Sequence, residues 1–365
     1  MRRRFMAFLG LVMCSSVTWI APCWGLDESD LVRVLAPDSE GQAIMARNDS
    51  KGNLHVLFQS SAGPRYGYSD NGGRSFSKTV SVVDPTRFPK NLEFTVWDLA
   101  ISPQGIVHVA LGTNAWKLKL PQEEWGFYYC SLSPDQEAFT PLRNINRKPS
   151  EGFSLAADTK GKLSACWLAD KLYVQTSQDD GKSFTDPMEL DPSFNPCNCC
   201  TTSCAYGQDG RLAVLYREET NNDRDMYVIL WDQSTGVKTR QRVSQTSWKI
   251  DSCPMTYYSV VPHEQGYLAI WPTKGMIYFA ILDADGKIRD GKEHPTLGAN
   301  GMRSGMSLVS DRKGNFLAAW KKDNKLSWQL YDAKLRPQGV MQEASSPGAG
   351  SAVAVDAQGK FVLFR

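Results

Sequence analysis

One unit recurs seven times along the chain: an apolar segment with strand character, a polar turn closing on glycine, and a second apolar segment, as in LAADTKGKLSACW and LVSDRKGNFLAAW. The turn glycines are Gly52, Gly105, Gly161, Gly210, Gly266, Gly314 and Gly359, spaced 53, 56, 49, 56, 48 and 45 residues apart. A period near fifty with only strand signals inside it predicts propeller blades, because a helical solenoid would show a 3.6-residue apolar rhythm. A second pair of strand-like segments lies between successive copies, so each blade is expected to hold four antiparallel strands. After Gly359 there is room for one more strand, while residues 30–35 near the other end form an unpaired one. Adding that N-terminal strand to the last blade would close the ring and cover a sheet edge. The expectation is therefore an all-β propeller of seven blades, or six if the last copy is incorporated differently.

The first 25 residues read as a secretory signal peptide: Arg2, Arg3 and Arg4, an apolar run from Phe5 to Ile20, then Pro22 and Gly25. Residues 26–365 would form a single propeller domain in a secreted or periplasmic protein. Membrane attachment would come only through an N-terminal lipid, with Leu-Val-Met-Cys14 loosely resembling a lipoprotein box. Removing three arginines and no acid from a formal charge of +2 leaves −1, which excludes a general nucleic-acid binder. Seven cysteines then remain in an oxidising space, an odd number that leaves at least one thiol free or paired between chains.

Two hairpins carry a further pattern. Ser69-Asp-Asn71-Gly-Gly73-Arg-Ser-Phe76 and Ser177-Gln-Asp179-Asp-Gly181-Lys-Ser-Phe184 resemble the Asp-box of sialidases and related repeat proteins. Physically these are tight turns: the side chains of Asn71 and Asp179 satisfy turn amides, Gly73 and Gly181 permit positive φ, and the aromatic residue packs into the blade. The resemblance implies the fold more than the chemistry.

Propeller geometry gathers one set of loops at a single mouth. Residues about seven to thirteen before each repeated glycine, or seven and more after it, belong there, and ligand sites in such folds are assembled from these loops. Phe58, Leu111, Trp167, Tyr216 and Trp320, six residues after their glycines, and Trp271, five after, read as large side chains filling the wedge between blades. Trp97, Trp116, Trp125 and Trp248 break that pattern and are candidates for carbohydrate stacking. Arg217, Glu218, Arg224, Asp225 and Arg303 are charged mouth candidates. Three guanidiniums there would suit a carboxylate or phosphate, unless Arg217 and Arg224 pair with Glu218 or Asp225. Asp98 is a candidate proton donor, with turn capping as its ordinary alternative. No histidine cluster emerges.

Cys197 and Cys253 each lie thirteen residues before their glycines, so the Cys197, Cys199 and Cys200 group meets Cys253 one blade over. A disulfide staple is expected, with the partner of Cys253 left open and a Cys199–Cys200 bond also possible on spacing. A four-thiolate metal site is the competing reading. Cys130, Cys166 and Cys204 fall in strand patterns as buried thiols.

Together, the paired cysteine motif, Tyr216-Arg217 followed by Arg224-Asp225-Met-Tyr, and Trp248-Lys-Ile-Asp-Ser-Cys253-Pro resemble a group of secreted sialidase-like repeat proteins. That resemblance implies glycan or anionic-ligand recognition and exo-sialidase-like hydrolysis by an Asp acid/base, a Tyr nucleophile and three arginines. The Arg-Ile-Pro motif of true sialidases is absent; Val32-Arg33-Val34 and Ala46-Arg47-Asn48 stand instead. The alternatives are a non-catalytic propeller binding a protein or other ligand, and a metal-binding propeller using the cysteines. No cofactor and no metal are expected on the favoured reading.

Overall fold

The computed structural model describes residues 31–36, 41–77, 79–193, 195–299, 305–311, 313–346 and 351–365. The expected signal peptide and Arg303 lie outside the described residues. Seven sheets stand around one axis. Their innermost strands, Gln42–Asn48, Phe94–Ile101, Glu151–Ala157, Thr202–Tyr206, Ser259–His263, Met306–Ser310 and Ala352–Val355, pack side by side in a ring, each against the next. Six blades are four-stranded antiparallel meanders, and helix is confined to two single 3-10 turns among the described residues, Pro85–Arg87 and Gln122–Glu124. No helix of the described residues is long and apolar enough to cross a membrane.

The seventh blade has three described strands: Ala352–Val355, Phe361–Phe364 and the N-terminal Val32–Leu35. The last two run parallel, Val32 opposite Phe361 and Leu35 opposite Phe364. The direction follows from what comes next. Gln42 starts the first blade's inner strand at the mouth, so a strand only a few residues earlier must run toward the mouth, as Phe361–Phe364 does. Arg33 reinforces the junction, with Nη1 3.2 Å from Asp356 and 2.8 Å from the Gly72 carbonyl oxygen.

The repeated turns explain why the glycines recur. In the first, third, sixth and seventh copies an aspartate carboxylate accepts the backbone amides two and four residues on: Asp49 from Lys51 and Asn53, Asp158 from Lys160 and Lys162, Asp311 from Lys313 and Asn315, Asp356 from Gln358 and Lys360. The intervening glycines have φ between 77° and 91°, a conformation that L side chains resist. Phe58, Leu111, Trp167, Tyr216, Trp271 and Trp320 are all at most 1% exposed and fill the contacts between neighbouring sheets. They are core residues.

At the two aromatic-ended hairpins, Asn71 Oδ1 accepts the Ser75 amide at 3.0 Å and Asp179 Oδ1 the Ser183 amide at 2.9 Å. The Ser69 and Ser177 hydroxyls accept the amides of Gly73 and Gly181 at 2.9 and 2.8 Å. Phe76 then meets Phe58 edge to face, and Phe184 meets Tyr129 in the same way.

Candidate functional site

A cleft of about 740 Å³ opens at the mouth between the second and third blades. It is walled by Trp97 and Thr95 from the second blade's inner strand, Trp116 and Lys117 from the loop after its second strand, Trp125 before its third, and Glu151 and Phe153 opening the third blade. Glu93, Asn114 and Asn198 add polar groups. Trp97 and Phe153 are carried on inner strands, and Trp116 and Trp125 on the connection between the second blade's second and third strands. Trp97 packs edge to face on Phe153 with ring centroids 5.5 Å apart. The Trp125 indole N–H donates to the Leu120 carbonyl at 2.9 Å, which fixes its ring. Trp116 is 58% exposed, with the Lys117 ammonium 5.5 Å from its ring centre.

Although Glu151 is an exposed residue, crowding around it partly desolvates its carboxyl and raises its pKa. Nearby Tyr257, 40% exposed, has its hydroxyl pKa raised first by burial and then by the negative charge of Glu151. Such a carboxyl retains its proton at a higher pH than a free glutamate, the property a proton donor needs.

The charged candidates go elsewhere. Arg217, the last residue of its strand, is 0% exposed. Its guanidinium donates to the carbonyls of Arg224 at 2.5 Å and Pro272 at 2.7 Å and to the Thr256 hydroxyl at 3.2 Å, and its plane lies 5.0 Å from the Trp248 ring. Arg217 and Trp248 are thus committed to each other, and the ion pair considered for Arg217 with Glu218 or Asp225 does not form: its partners are carbonyls and a hydroxyl. Glu218 is buried against Arg240 and accepts from the Thr220 hydroxyl. Asp225 pairs with Arg242 at 2.9 Å and accepts the Trp248 amide. Arg224 donates to the Ile250 carbonyl and, at 2.9 Å, to Cys197 Sγ.

Asp98 sits lower than expected, in the wall of the central channel and not at the mouth. One oxygen accepts from Arg47 at 3.0 Å and from the Leu99 amide, and the other accepts the Leu155 amide of the next inner strand at 2.9 Å. Burial raises its pKa against these partners. A carboxylate so engaged ties three successive blades together. The alternation of its strand is shifted between Val96 and Asp98 by a bulge, which reassigns the facing of this residue.

The cysteines meet as their offsets required. Cys199 and Cys253 form a disulfide across the fourth and fifth blades. Cys197 and Cys200 remain thiols beside it, both 1% exposed, with sulfurs 3.2 Å apart. The Cys197 sulfur is 3.6 Å from that of Cys253 and 3.9 Å from that of Cys199. Its pKa is drawn down to about 7 by the hydrogen bond from Cys200 and by the charges of Arg224 and Arg217, against burial. Cys130, Cys166 and Cys204 are buried thiols, as their strand positions imply.

Sequence reasoning gathered Trp97, Trp116 and Trp125 but passed over Glu93, Glu151 and Tyr257. A signal existed for all three: they lie twelve, ten and nine residues before Gly105, Gly161 and Gly266, within the mouth window.

No protein-family model matches the chain, and no curated protein matches its sequence. Solved structures match its fold. A streptogramin B lyase superposes with a TM-score of 0.55 at 12% identity, covering 89% of this chain and 90% of that one. An ulvan lyase, described as a new family of polysaccharide lyase, gives 0.52 at 11% identity over 86% and 88%. An α-L-arabinanase from Penicillium chrysogenum, solved with arabinobiose, gives 0.52 at 15% identity over 80% and 94%. At such identities the likeness establishes the β-propeller fold.

Proposed function

We propose that this is an exported carbohydrate-binding propeller whose ligand lies in the cleft of Trp97, Trp116, Trp125 and Phe153. The carrying observation is the cleft itself: four aromatic rings, Trp97 and Phe153 on inner strands and Trp116 and Trp125 in the connection between the second blade's middle strands, interleaved with Glu93, Glu151, Asn114 and Lys117. Sugar rings present apolar C–H faces and polar edges, which match indole faces beside hydrogen-bonding groups. The signal-like N-terminal run supports export, and the propeller folds of an ulvan lyase and an arabinanase accord with carbohydrate chemistry on such a frame. Arg217 and Arg224 are engaged inside the protein, so the reading favours a neutral or weakly charged glycan over a carboxylated one clamped by arginines.

The raised carboxyl of Glu151 beside Tyr257 favours a second reading, in which the same cleft hydrolyses the glycan with Glu151 as proton donor. Electrophoresis through gels cast with arabinan, ulvan or a sialylated glycoprotein tests binding. Retardation in at least one polysaccharide gel is expected, with loss in Trp97→Ala/Trp116→Ala by at least ~10-fold in apparent Kd, the equivalent of ~1.4 kcal/mol. Unretarded wild-type protein in every gel would remove the proposal. Reducing-end release by wild type but not Glu151→Gln would establish the hydrolytic reading, and release by neither would limit the cleft to binding.

A further inference from the structure

Four sulfurs from two segments converge at the mouth, and the chemistry around them asks for negative charge. Arg217 is fully buried, its Nε has no hydrogen-bond partner, and no carboxylate among the described residues forms an ion pair with it. The ionisable groups facing it are Cys200, Cys197, Tyr258 and Asp225, and Asp225 is held by Arg242. A buried guanidinium without a counter-charge is costly, so the thiols are the groups left to supply one. Arg224 already donates to Cys197 Sγ.

Distance adds a second constraint. Tetrahedral Zn²⁺ with bonds of ~2.3 Å to sulfur places its ligands roughly 3.8 Å apart. Four of the five non-bonded sulfur separations are 3.2, 3.6, 3.9 and 3.9 Å, and the fifth, between Cys199 and Cys200, is wider with the disulfide in place. The ligand atoms of Cys197, Cys199 and Cys253 all lie within 4.8 Å of one another. Charge chooses among soft cations: four thiolates on a divalent ion leave two negative charges, matched by the two guanidiniums of Arg217 and Arg224, whereas a monovalent ion would leave a third unmatched.

We propose that Cys197, Cys199, Cys200 and Cys253 form a redox-gated Zn²⁺ site. With the Cys199–Cys253 disulfide intact, two of the four ligands are withdrawn and the site is closed. A reducing dithiol opens it by exchange: the dithiol becomes a cyclic disulfide, and Cys199 and Cys253 become thiols. Zn²⁺ then binds all four sulfurs, releasing one proton from each that was still a thiol. Arg224 and Arg217 act as positioning residues, donating to or facing the thiolates as second-layer groups do at metal centres.

The full chain, as purified and after anaerobic treatment with a dithiol followed by desalting, would be given Zn²⁺ and examined by native mass spectrometry. One Zn²⁺ per reduced chain and none per oxidised chain is expected. Co²⁺ in place of Zn²⁺ should give the visible spectrum of a tetrahedral four-thiolate centre, which tests the wild type without any substitution. Arg224→Ala keeps all four sulfurs and should weaken Zn²⁺ binding ~10-fold or more. Reduced chain that stays folded by circular dichroism yet takes up no Zn²⁺, or equal uptake by a folded Cys197→Ser/Cys253→Ser variant, would overturn the site.

Discussion

His108 lies mid-strand in the second blade, 0% exposed, with Nδ1 2.7 Å from the Tyr129 hydroxyl. Burial pushes its pKa down from 6.5 to about 4. Between those values the unfolded chain binds a proton that the folded chain does not, so the stabilisation is complete above the unfolded value and is lost as pH falls toward the folded one. The loss amounts to ~3 kcal/mol across the window. His55, hydrogen-bonded in the same way to Tyr66, shifts in the same direction. Urea unfolding at pH 7 and pH 4.5 should show wild type losing ~2 kcal/mol more than His108→Gln, and equal losses would dismiss His108 as the cause. Both histidines lie three residues after their turn glycine, an offset that by itself marks a strand residue in this repeat. Offset from the glycine misled for Arg217 and Asp98. It gives height along a blade only coarsely, Asp98 lying below the mouth, and the facing of a side chain depends on bulges and on what the next blade brings, here Tyr258, Thr256 and Leu155.

At the scale of the blade, repeated turns and wedge aromatics were readable because each answers a local demand: positive φ at the glycines, and bulk where neighbouring sheets diverge. The outermost strands were less so, since those of the first three blades, Val80–Ser81, Arg143–Asn144 and Met188–Glu189, are two residues long and too short to show alternation. The cleft was half-readable; its tryptophans stood out for breaking the repeat, whereas Glu93 and Glu151 had only their place in the mouth window to set them apart from other acidic residues. Hairpin glycines allow a controlled test. Gly181 has φ 78° and would drive a Cβ into the Tyr129 hydroxyl, while Gly210 has φ 77° and open space around it. Gly210→Ala should cost ~1 kcal/mol, the strain of φ alone, and Gly181→Ala at least ~2 kcal/mol. Thermal unfolding of the two variants side by side reads the difference, and indistinguishable melts would mean that Tyr129 yields.

For the whole molecule, the ring is completed by four residue pairs between Val32–Leu35 and Phe361–Phe364 and by Arg33 with Asp356. A chain begun at residue 36 would bare the Phe361–Phe364 edge. Its unfolding temperature should fall on the order of 5 °C, from ~1 kcal/mol per lost backbone hydrogen bond, with a rise in aggregation. An unchanged melt would show that the other blades hold the ring unaided. Because these two strands run parallel, they also set how the molecule bears load. Tension on the segments preceding Val32 and following Phe364 pulls the strands past each other along their length, so every hydrogen bond between them must give at once. An antiparallel closure would peel open one bond at a time. The join is built to resist stretching of the chain, a mechanical strength that heat or denaturant would not reveal and that pulling on single molecules would.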